Sequence, residues 1–185
     1  GSPAINFVES FVEQGADKRI KLSFLNDLHF EFNPLSEVNL EELRKERDEE
    51  FKKEEEEKAK LKENKKFVEK GNKDKDFAFA IQKVTETMSS DEEKEIKDNE
   101  YIVGIRPEFI RLSDEGKVEG EIYSALPSGM ETIVKIRVGE FLLTSVIFGG
   151  VDYKVGSICR FDFVGKEILL FDRKSGKLIA QGGLE

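Results

Sequence analysis

The chain has 185 residues, which is room for one domain with a sizeable insertion or for two small domains, and too few for three. Charged residues make up 37% of it and the net charge is -9, an acidic balance that argues against nucleic-acid binding. Hydrophobic residues still reach 38%, which suffices for a core. No apolar run approaches the roughly 20 residues that span a bilayer, no signal sequence opens the chain, and its one Cys allows no internal disulfide. We therefore expect a soluble protein of the cytoplasm.

The first clear pattern along the chain is that of a β-hairpin. Apolar and polar residues alternate over 20–24 and again over 28–32, which predicts two strands joined by a tight turn. A three-residue turn at 25–27 keeps every apolar side chain on one face, whereas a two-residue turn would pair Phe24 with His29. The predicted cross-strand pairs are Ile20 with Phe32, Leu22 with Phe30 and Phe24 with Leu28.

A highly charged block follows, in which residues 41–76 hold 14 acidic and 13 basic side chains. Strong helix formers and Glu-to-Lys pairs four residues apart predict a long solvated helix that starts at the capping pair Asn39 and Glu42 and stops at Gly71-Asn72. A second, amphipathic helix is predicted from about Asp76 to Met88, which completes a helical hairpin. The alternation of Phe77, Phe79 and Ile81 leaves a strand as the alternative. The helical spacing rests on the apolar residues Phe77, Ala80, Ile81, Val84 and Met88.

The second half alternates between short apolar segments and turn residues. Glycine and proline separate these segments at intervals of about ten residues, which is typical of a small barrel or sandwich. The predicted domains are therefore a mainly β domain of residues 1–32 and 99–185 and a charged helical hairpin inserted at 33–98. The predicted strands are 101–105, 118–126, 132–138, 141–148, 157–163 and 167–171.

Motifs of catalysis are missing from the sequence. It has no phosphate-binding glycine loop, no nucleophile elbow, no H-E-x-x-H and no C-x-x-C. His29 lies on the polar side of its strand beside Glu31, which predicts a solvated position. Cys159 shares a strand face with Phe161 and Phe163 and is predicted to be a buried small hydrophobe. We predict no catalytic residue, no cofactor-binding residue and no metal ligand, so the chain is not expected to be an enzyme.

Residues 104–110 read G-I-R-P-E-F-I, and the first five are Gly104, Ile105, Arg106, Pro107 and Glu108. This run resembles the G-I-R-P-E-H-[IL] signature in the C-terminal regulatory domain of ATPase subunits from maltose-type carbohydrate ABC importers. Residues 1–7, G-S-P-A-I-N-F, are similar to the segment by which that family leaves its nucleotide-binding domain. Further similar segments follow in the family's order at 118–122, 129–132, 153–156 and 170–172.

The resemblance implies a transport-associated OB (TOBE) domain, a β domain of the OB barrel type, with a regulatory and dimerising role. The implied partners are the subunit's own nucleotide-binding domain, a second copy, the transmembrane permease subunits through the full subunit, and a cytoplasmic regulator. Neither nucleic acid nor direct membrane insertion is implied. ATP and Mg would bind the domain that this chain lacks, so no cofactor is expected here. The implied location is cytoplasmic, peripheral to the inner face of the cell membrane within a transporter complex.

The sequence departs from the family at two places. Phe109 replaces the usual His, and the stretch from Asn33 to Asn99 is far longer than its family counterpart. The residue types of the motif can also be explained by local structure. Pro107 biases Arg106 away from helix and ends the preceding strand, while residues 108–110 can form a short helical turn.

Several roles stay open at this point. Phe171 matches a family aromatic near domain contacts, yet it also fits a core position at the end of a strand. The apolar stripe of the second predicted helix is a candidate docking face, formed by Phe77, Ile81, Val84 and Met88. Two further functions are alternatives: a domain that senses a small ligand such as a sugar or an oxyanion, and an adaptor that docks another protein through the helical insertion.

Overall fold

The computed structural model describes residues 4–63, 79–84, 95–149 and 152–185. These ranges form eleven β-strands, one long α-helix and a 3₁₀ turn at Pro107–Phe109. In chain order the elements are β1 (Asn6–Gln14), β2 (Ile20–Phe24), β3 (Leu28–Pro34), α1 (Leu40–Glu63), β4 (Glu100–Ile105), β5 (Ile110–Leu112), β6 (Val118–Ser128), β7 (Glu131–Val138), β8 (Phe141–Phe148), β9 (Ile158–Phe163), β10 (Ile168–Asp172) and β11 (Leu178–Leu184).

Six strands close into an antiparallel barrel in the order β1-β2-β3-β11-β10-β4. The last two strands of the chain return to complete this barrel, so strands β5 to β9 are inserted between β4 and β10. They form a second sheet in the order β5-β9-β6-β7-β8. This sheet curls until Ser145 in β8 donates a hydrogen bond to the Ile110 carbonyl in β5 at 2.7 Å. The predicted fold, mainly β with an OB-type barrel and a helical insertion, is confirmed.

The predicted hairpin is confirmed in register as well as in position. Strands β2 and β3 pair Ile20 with Phe32 and Phe24 with Leu28, and the turn has three residues. All three turn residues, Leu25, Asn26 and Asp27, have a positive φ. The six strands predicted in the second half are also present, with ends that differ by at most two residues.

Helix α1 begins where the sequence predicts. Its first turn is capped by Asn39, whose Oδ1 accepts a hydrogen bond from the Glu42 N–H at 3.2 Å. The predicted stop at Gly71-Asn72 lies outside the described residues. Within the described ranges, no helix combines the length and the apolar character needed to cross a bilayer.

The predicted second helix is wrong over residues 79–84. This segment is extended, and Lys83 forms an isolated antiparallel bridge with Phe141 in β8. Strand β8 is an edge of its sheet, so its outward backbone groups favour an extended partner over a helix. The rest of the predicted helix, including Phe77 and Met88, lies outside the described residues. The division into a β domain at 1–32 and 99–185 and an insertion at 33–98 stays a prediction.

One hydrophobic core runs from the barrel into the second sheet. Alternate residues of the barrel strands face inward, as the burial of Val8, Leu22 and Val103 shows. The inner face of the second sheet continues this core with Ile122, Val134, Ile136, Leu143 and Phe161. Leu40 at the start of α1 also belongs to it, which ties the insertion to the β domain.

Candidate interaction surfaces

The predicted motif connects the barrel to the second sheet. Gly104 and Ile105 are buried and end β4. Arg106 is exposed and extended, with φ -67° and ψ 145°, and the buried Pro107 opens the 3₁₀ turn. Glu108 is exposed, and the turn leads directly into β5. The five residues therefore lie together as a connector between the barrel and the second sheet.

Phe171 lies on the outer side of the barrel next to Gly104. A Cβ atom at Gly104 would be only 3.1 Å from Cε2 of Phe171, so the missing side chain makes room for the ring. Phe171 is half-buried, and its ring centroid is 5.9 Å from that of Phe7 and 5.5 Å from that of Phe79. It is thus neither an inward core residue nor a bare surface aromatic.

A buried amide joins the barrel to the second sheet. Asn6 in β1 accepts a hydrogen bond from the Thr144 N–H at 2.7 Å and donates to the Thr144 carbonyl at 2.9 Å. The same Asn6 amide donates to the Ile105 carbonyl at 3.0 Å. Because the side chain copies the donor and acceptor of a strand, it continues the pairing of edge strand β8 across the junction.

Helix α1 is anchored on one end of the barrel by residues that recur every three or four positions. Arg44 Nε donates to the Tyr101 hydroxyl at 3.1 Å, and Arg47 donates to Asp172 at 3.0 Å and to Asp98 at 2.8 Å. Tyr101 and Asp172 are register partners on β4 and β10, so the two arginines reach adjacent positions of one barrel end. The first turns of the helix are therefore fixed on the barrel.

The guanidinium of Arg47 is buried among carboxylates. Burial by itself lowers the pKa of Arg47, but the charges of Asp172 and Asp48 outweigh it, so its pKa lies above the ordinary value. The pKa of Asp98 is lowered, first by its hydrogen bond with Lys174 and further by that cation and Arg47. A cavity of only about 70 Å³ lies between helix and barrel here, lined by Leu43, Arg44, Tyr101, Asp172 and Lys177 among others.

No protein-family model matches the chain, and no curated protein matches it significantly. The importer family therefore stays a prediction that rests on the motif residues. Within the described ranges, no group of three or more His, Cys, Asp or Glu side chains is placed to hold a metal ion.

The second sheet carries apolar side chains on its outer face. Leu126, Ile133 and Val146 face one another across β6, β7 and β8, and Leu126 is 63% exposed. Phe148, on the same face two residues after Val146, is 74% exposed. Tyr123, at a bulge in β6, and Ile158 in β9 are also exposed. We call these six residues, Tyr123, Leu126, Ile133, Val146, Phe148 and Ile158, the apolar sheet face.

Charged residues beside this face alternate in sign. Glu119 lies opposite Arg160, and Glu121 lies opposite Arg137, in the antiparallel register. Met130, in the turn between β6 and β7, is 86% exposed at the end of the same sheet. The surface is therefore apolar with a balanced charged border, although the whole chain is acidic.

The two residues considered for chemistry occupy the predicted positions. His29 is exposed on β3. Cys159 is buried on the inner face of β9, and burial raises the pKa of its thiol. A raised thiol pKa lowers the thiolate fraction at neutral pH, which disfavours nucleophilic chemistry.

The predicted docking face of the insertion turns towards the chain's own β domain where it is described. Ile81 packs against the core, and Val84 is half-buried with its N–H donated to the Glu140 carbonyl. Phe77 and Met88 lie outside the described residues.

Four residues that hold the insertion in place were not predicted from the sequence: Arg47, Tyr101, Asp172 and Lys83. Arg47 follows Leu40 by seven positions, so a helical wheel centred on Leu40 places it on the barrel side. Lys83 had no comparable local signal, because its partners come from β1 and the β7–β8 turn.

Proposed function

We propose that this chain is the non-catalytic regulatory and dimerisation domain of the ATP-binding subunit of a carbohydrate ABC importer. The ordered motifs around Gly104–Glu108 support the family. The observation that supports a role in dimerisation is the apolar sheet face. In this role the chain contacts its own nucleotide-binding domain, and the subunit works at the cytoplasmic side of the membrane with its permease partners.

The area of the apolar sheet face supports a protein partner. Four of the six residues are exposed, namely Tyr123, Leu126, Phe148 and Ile158, and at on the order of 100 Å² each they present roughly 400 Å². A stable interface buries about 800 Å² per partner, including its polar rim. The apolar sheet face is therefore large enough to form the centre of such an interface.

The charge pattern supports a second copy as that partner. In a twofold interface the same patch meets itself, so an excess of one charge would repel its own copy. On this face Glu121 lies opposite Arg137 and Glu119 opposite Arg160, and β7 adds Glu131 and Lys135. Three acidic and three basic residues leave no such excess. A strongly acidic or basic partner has no complementary surface here.

Sedimentation equilibrium of the chain tests the dimer. We expect a concentration-dependent dimer for the unchanged chain, and a monomer over the same range for the double variant Leu126→Ser, Phe148→Ser. The matched control is Phe11→Ser on the barrel, where Phe11 is 49% exposed and away from the second sheet. A chain that stays monomeric at all concentrations, or a control that dissociates as readily, contradicts the assignment of this face.

The proposed regulatory role has to be tested in the whole ATPase subunit. We expect an intact importer ATPase subunit that carries the Leu126→Ser, Phe148→Ser variant to bind and hydrolyse ATP with altered regulation but unchanged nucleotide affinity. If deletion of this domain leaves subunit dimerisation and ATPase regulation unchanged, the proposed function is wrong.

A further inference from the structure

Residues Phe79–Val84, which we call the strap, add to the edge of the second sheet. The Leu142 N–H donates to the Gln82 carbonyl at 2.9 Å, and the Val84 N–H donates to the Glu140 carbonyl at 2.8 Å. These are the bonds that an added antiparallel strand makes with an edge strand. The strap thus occupies β8 in the way that an extended peptide occupies an open sheet edge.

The aromatic side chain of the strap packs against two aromatic rings of the barrel. The Phe79 ring packs against Phe7 at 5.2 Å and against Phe171 at 5.5 Å between centroids. Both contacts are tilted or edge-on, the arrangements that aromatic rings favour. The strap is therefore fixed at one end by an aromatic side chain between two rings of the barrel.

The basic side chain of the strap lies between two acidic residues. Lys83 Nζ is 3.5 Å from Glu9 and 3.7 Å from Glu140, and it lies 5.4 Å from the centre of the Phe141 ring. Glu9 also pairs with Arg173 at 3.2 Å, which holds that carboxylate in place. The second end of the strap is thus held by charge and by a cation–π contact.

The strap is separable from the folded core. Every strand of the barrel and of the second sheet is paired without it, and no strap residue is buried. Ile81 packs against the core from outside as a half-buried residue. Removal of the strap uncovers Phe7, Phe171 and Phe141 but opens neither sheet.

We infer that the groove between β1 and the edge of β8 is a peptide-binding site that the strap fills in cis. Its ligand is an extended segment with an aromatic residue, an apolar residue two positions later and a lysine four positions later, as in Phe79, Ile81 and Lys83. A partner segment of the same chemistry binds in trans when the strap is displaced. This site is separate from the apolar sheet face and does not depend on dimerisation.

Covalent attachment gives the strap an advantage over any free segment. Tethered binding segments reach effective concentrations on the order of millimolar, so a free peptide competes poorly with the strap of the unchanged chain. The test therefore uses a variant of the whole 185-residue chain whose strap is disabled by Phe79→Ser and Lys83→Ser.

Fluorescence anisotropy with a labelled peptide of the 79–84 sequence measures the site directly. We expect saturable binding to the strap-disabled variant and binding roughly tenfold or more weaker to the unchanged chain. A control peptide with Ser in place of the Phe and the Lys should not bind, and an added Glu9→Gln substitution should weaken binding and reduce its salt dependence. If the folded variant binds both peptides equally, or neither, the inference is wrong.

Hydrogen exchange tests the same inference without any substitution. If the strap is a displaceable ligand, the Val84 and Leu142 amides exchange through a local opening, much faster than the amides of β4. If these two amides exchange only with the global unfolding of the barrel, the strap belongs to the core and the inference fails even where the variant does not fold.

Discussion

Arg47 Nη1 donates a hydrogen bond to Asp172 Oδ1 at 3.0 Å, although the two residues lie 125 positions apart. Both side chains are buried, with 5% and 7% of their surface exposed. The pair joins a helix in the charged insertion to the end of the barrel strand β10. Because the contact lies one turn beyond the Arg44–Tyr101 contact, the two together fix the direction in which α1 leaves the barrel.

Replacement of Arg47 by Met should strongly destabilise the protein. It leaves the Asp172 carboxylate buried without its cation, which typically costs about 3–5 kcal/mol. Urea unfolding measures the change. The control is Lys45→Met on the same helix, where the side chain is exposed and the expected change is within about 0.5 kcal/mol.

The double variant Arg47→Met, Asp172→Asn tests whether the loss of stability comes from leaving a buried charge unpaired. Because no unpaired charge is left inside, it should lose less stability than Arg47→Met alone. A double variant that loses the sum of both single effects contradicts the direct coupling of these residues.

The effect of deleting the insertion on the melting temperature should depend on which residues are removed. Removal of 40–90 with a short linker takes away Leu40, Arg44 and Arg47, uncovers Tyr101 and should lower the melting temperature by many degrees. Removal of 52–90 also takes away the strap but keeps these three contacts, so we expect it to lower the melting temperature less. Thermal melts followed by circular dichroism compare the two deletions. Equal losses would mean that the first turns of α1 do not stabilise the barrel.

The hairpin at 20–32 could be predicted in detail because its information is local. Alternation assigns the faces of β2 and β3, and the turn length follows once Phe24 must face Leu28. Strands β6, β7 and β9 were predictable for the same reason, since each alternates between buried and more exposed positions, whereas β8 was predictable as a short apolar run bounded by glycines.

Strands β1 and β11 carry no such local signal. In β1, buried positions hold Asn6 and Ser10 while Phe11 faces outward, so the apolar alternation is broken. In β11, Gly182 is required because a Cβ there would overlap the Asn33 carbonyl oxygen, yet glycine in sequence indicates a turn.

The partners that the insertion contacts could not be predicted, for a different reason. Charge counting treats Arg47 as one of many solvated side chains, whereas its partner Asp172 is brought near only by the closure of the barrel. Likewise, the helical spacing of residues 77–88 competes with an edge of β8 that exists only after the second sheet forms. The missed residues are those whose partners are distant in sequence.

The turn at 25–27 should respond to substitutions according to backbone conformation. Asp27 is exposed and has a φ of 66°, a region that glycine adopts freely and that β-branched residues strongly disfavour. We expect Asp27→Gly to be neutral or slightly stabilising and Asp27→Val to cost about 1–2 kcal/mol. Chemical unfolding of both variants measures the difference. If the two are equally stable, the backbone at Asp27 is not left-handed.

The junction between barrel and second sheet should depend on the Asn6 amide. Asn6→Leu leaves the Thr144 N–H and two carbonyls without their buried partner, and we expect a loss of about 1–3 kcal/mol. Urea unfolding measures the loss, and hydrogen exchange should show the Thr144 amide exchanging faster in the Leu variant than in the unchanged chain. A Leu variant that is as stable as the unchanged chain contradicts the role of the amide as a strand mimic.

The buried thiol of Cys159 gives a pH-dependent prediction. Burial raises its pKa above the ordinary value of about 8.5, so at pH 8 the folded chain holds less thiolate than the unfolded chain. Iodoacetamide should therefore modify Cys159 slowly in the folded protein and rapidly in urea.

The same raised pKa makes stability depend on pH. Since the folded state disfavours the thiolate, Cys159 stabilises the fold fully below the pKa that its thiol has in the unfolded chain, and this contribution is lost as the pH rises above that value. Cys159→Val should remove the part of the alkaline loss of stability that comes from this thiol. Equal rates of modification at pH 8 with and without urea would show that Cys159 is open to solvent.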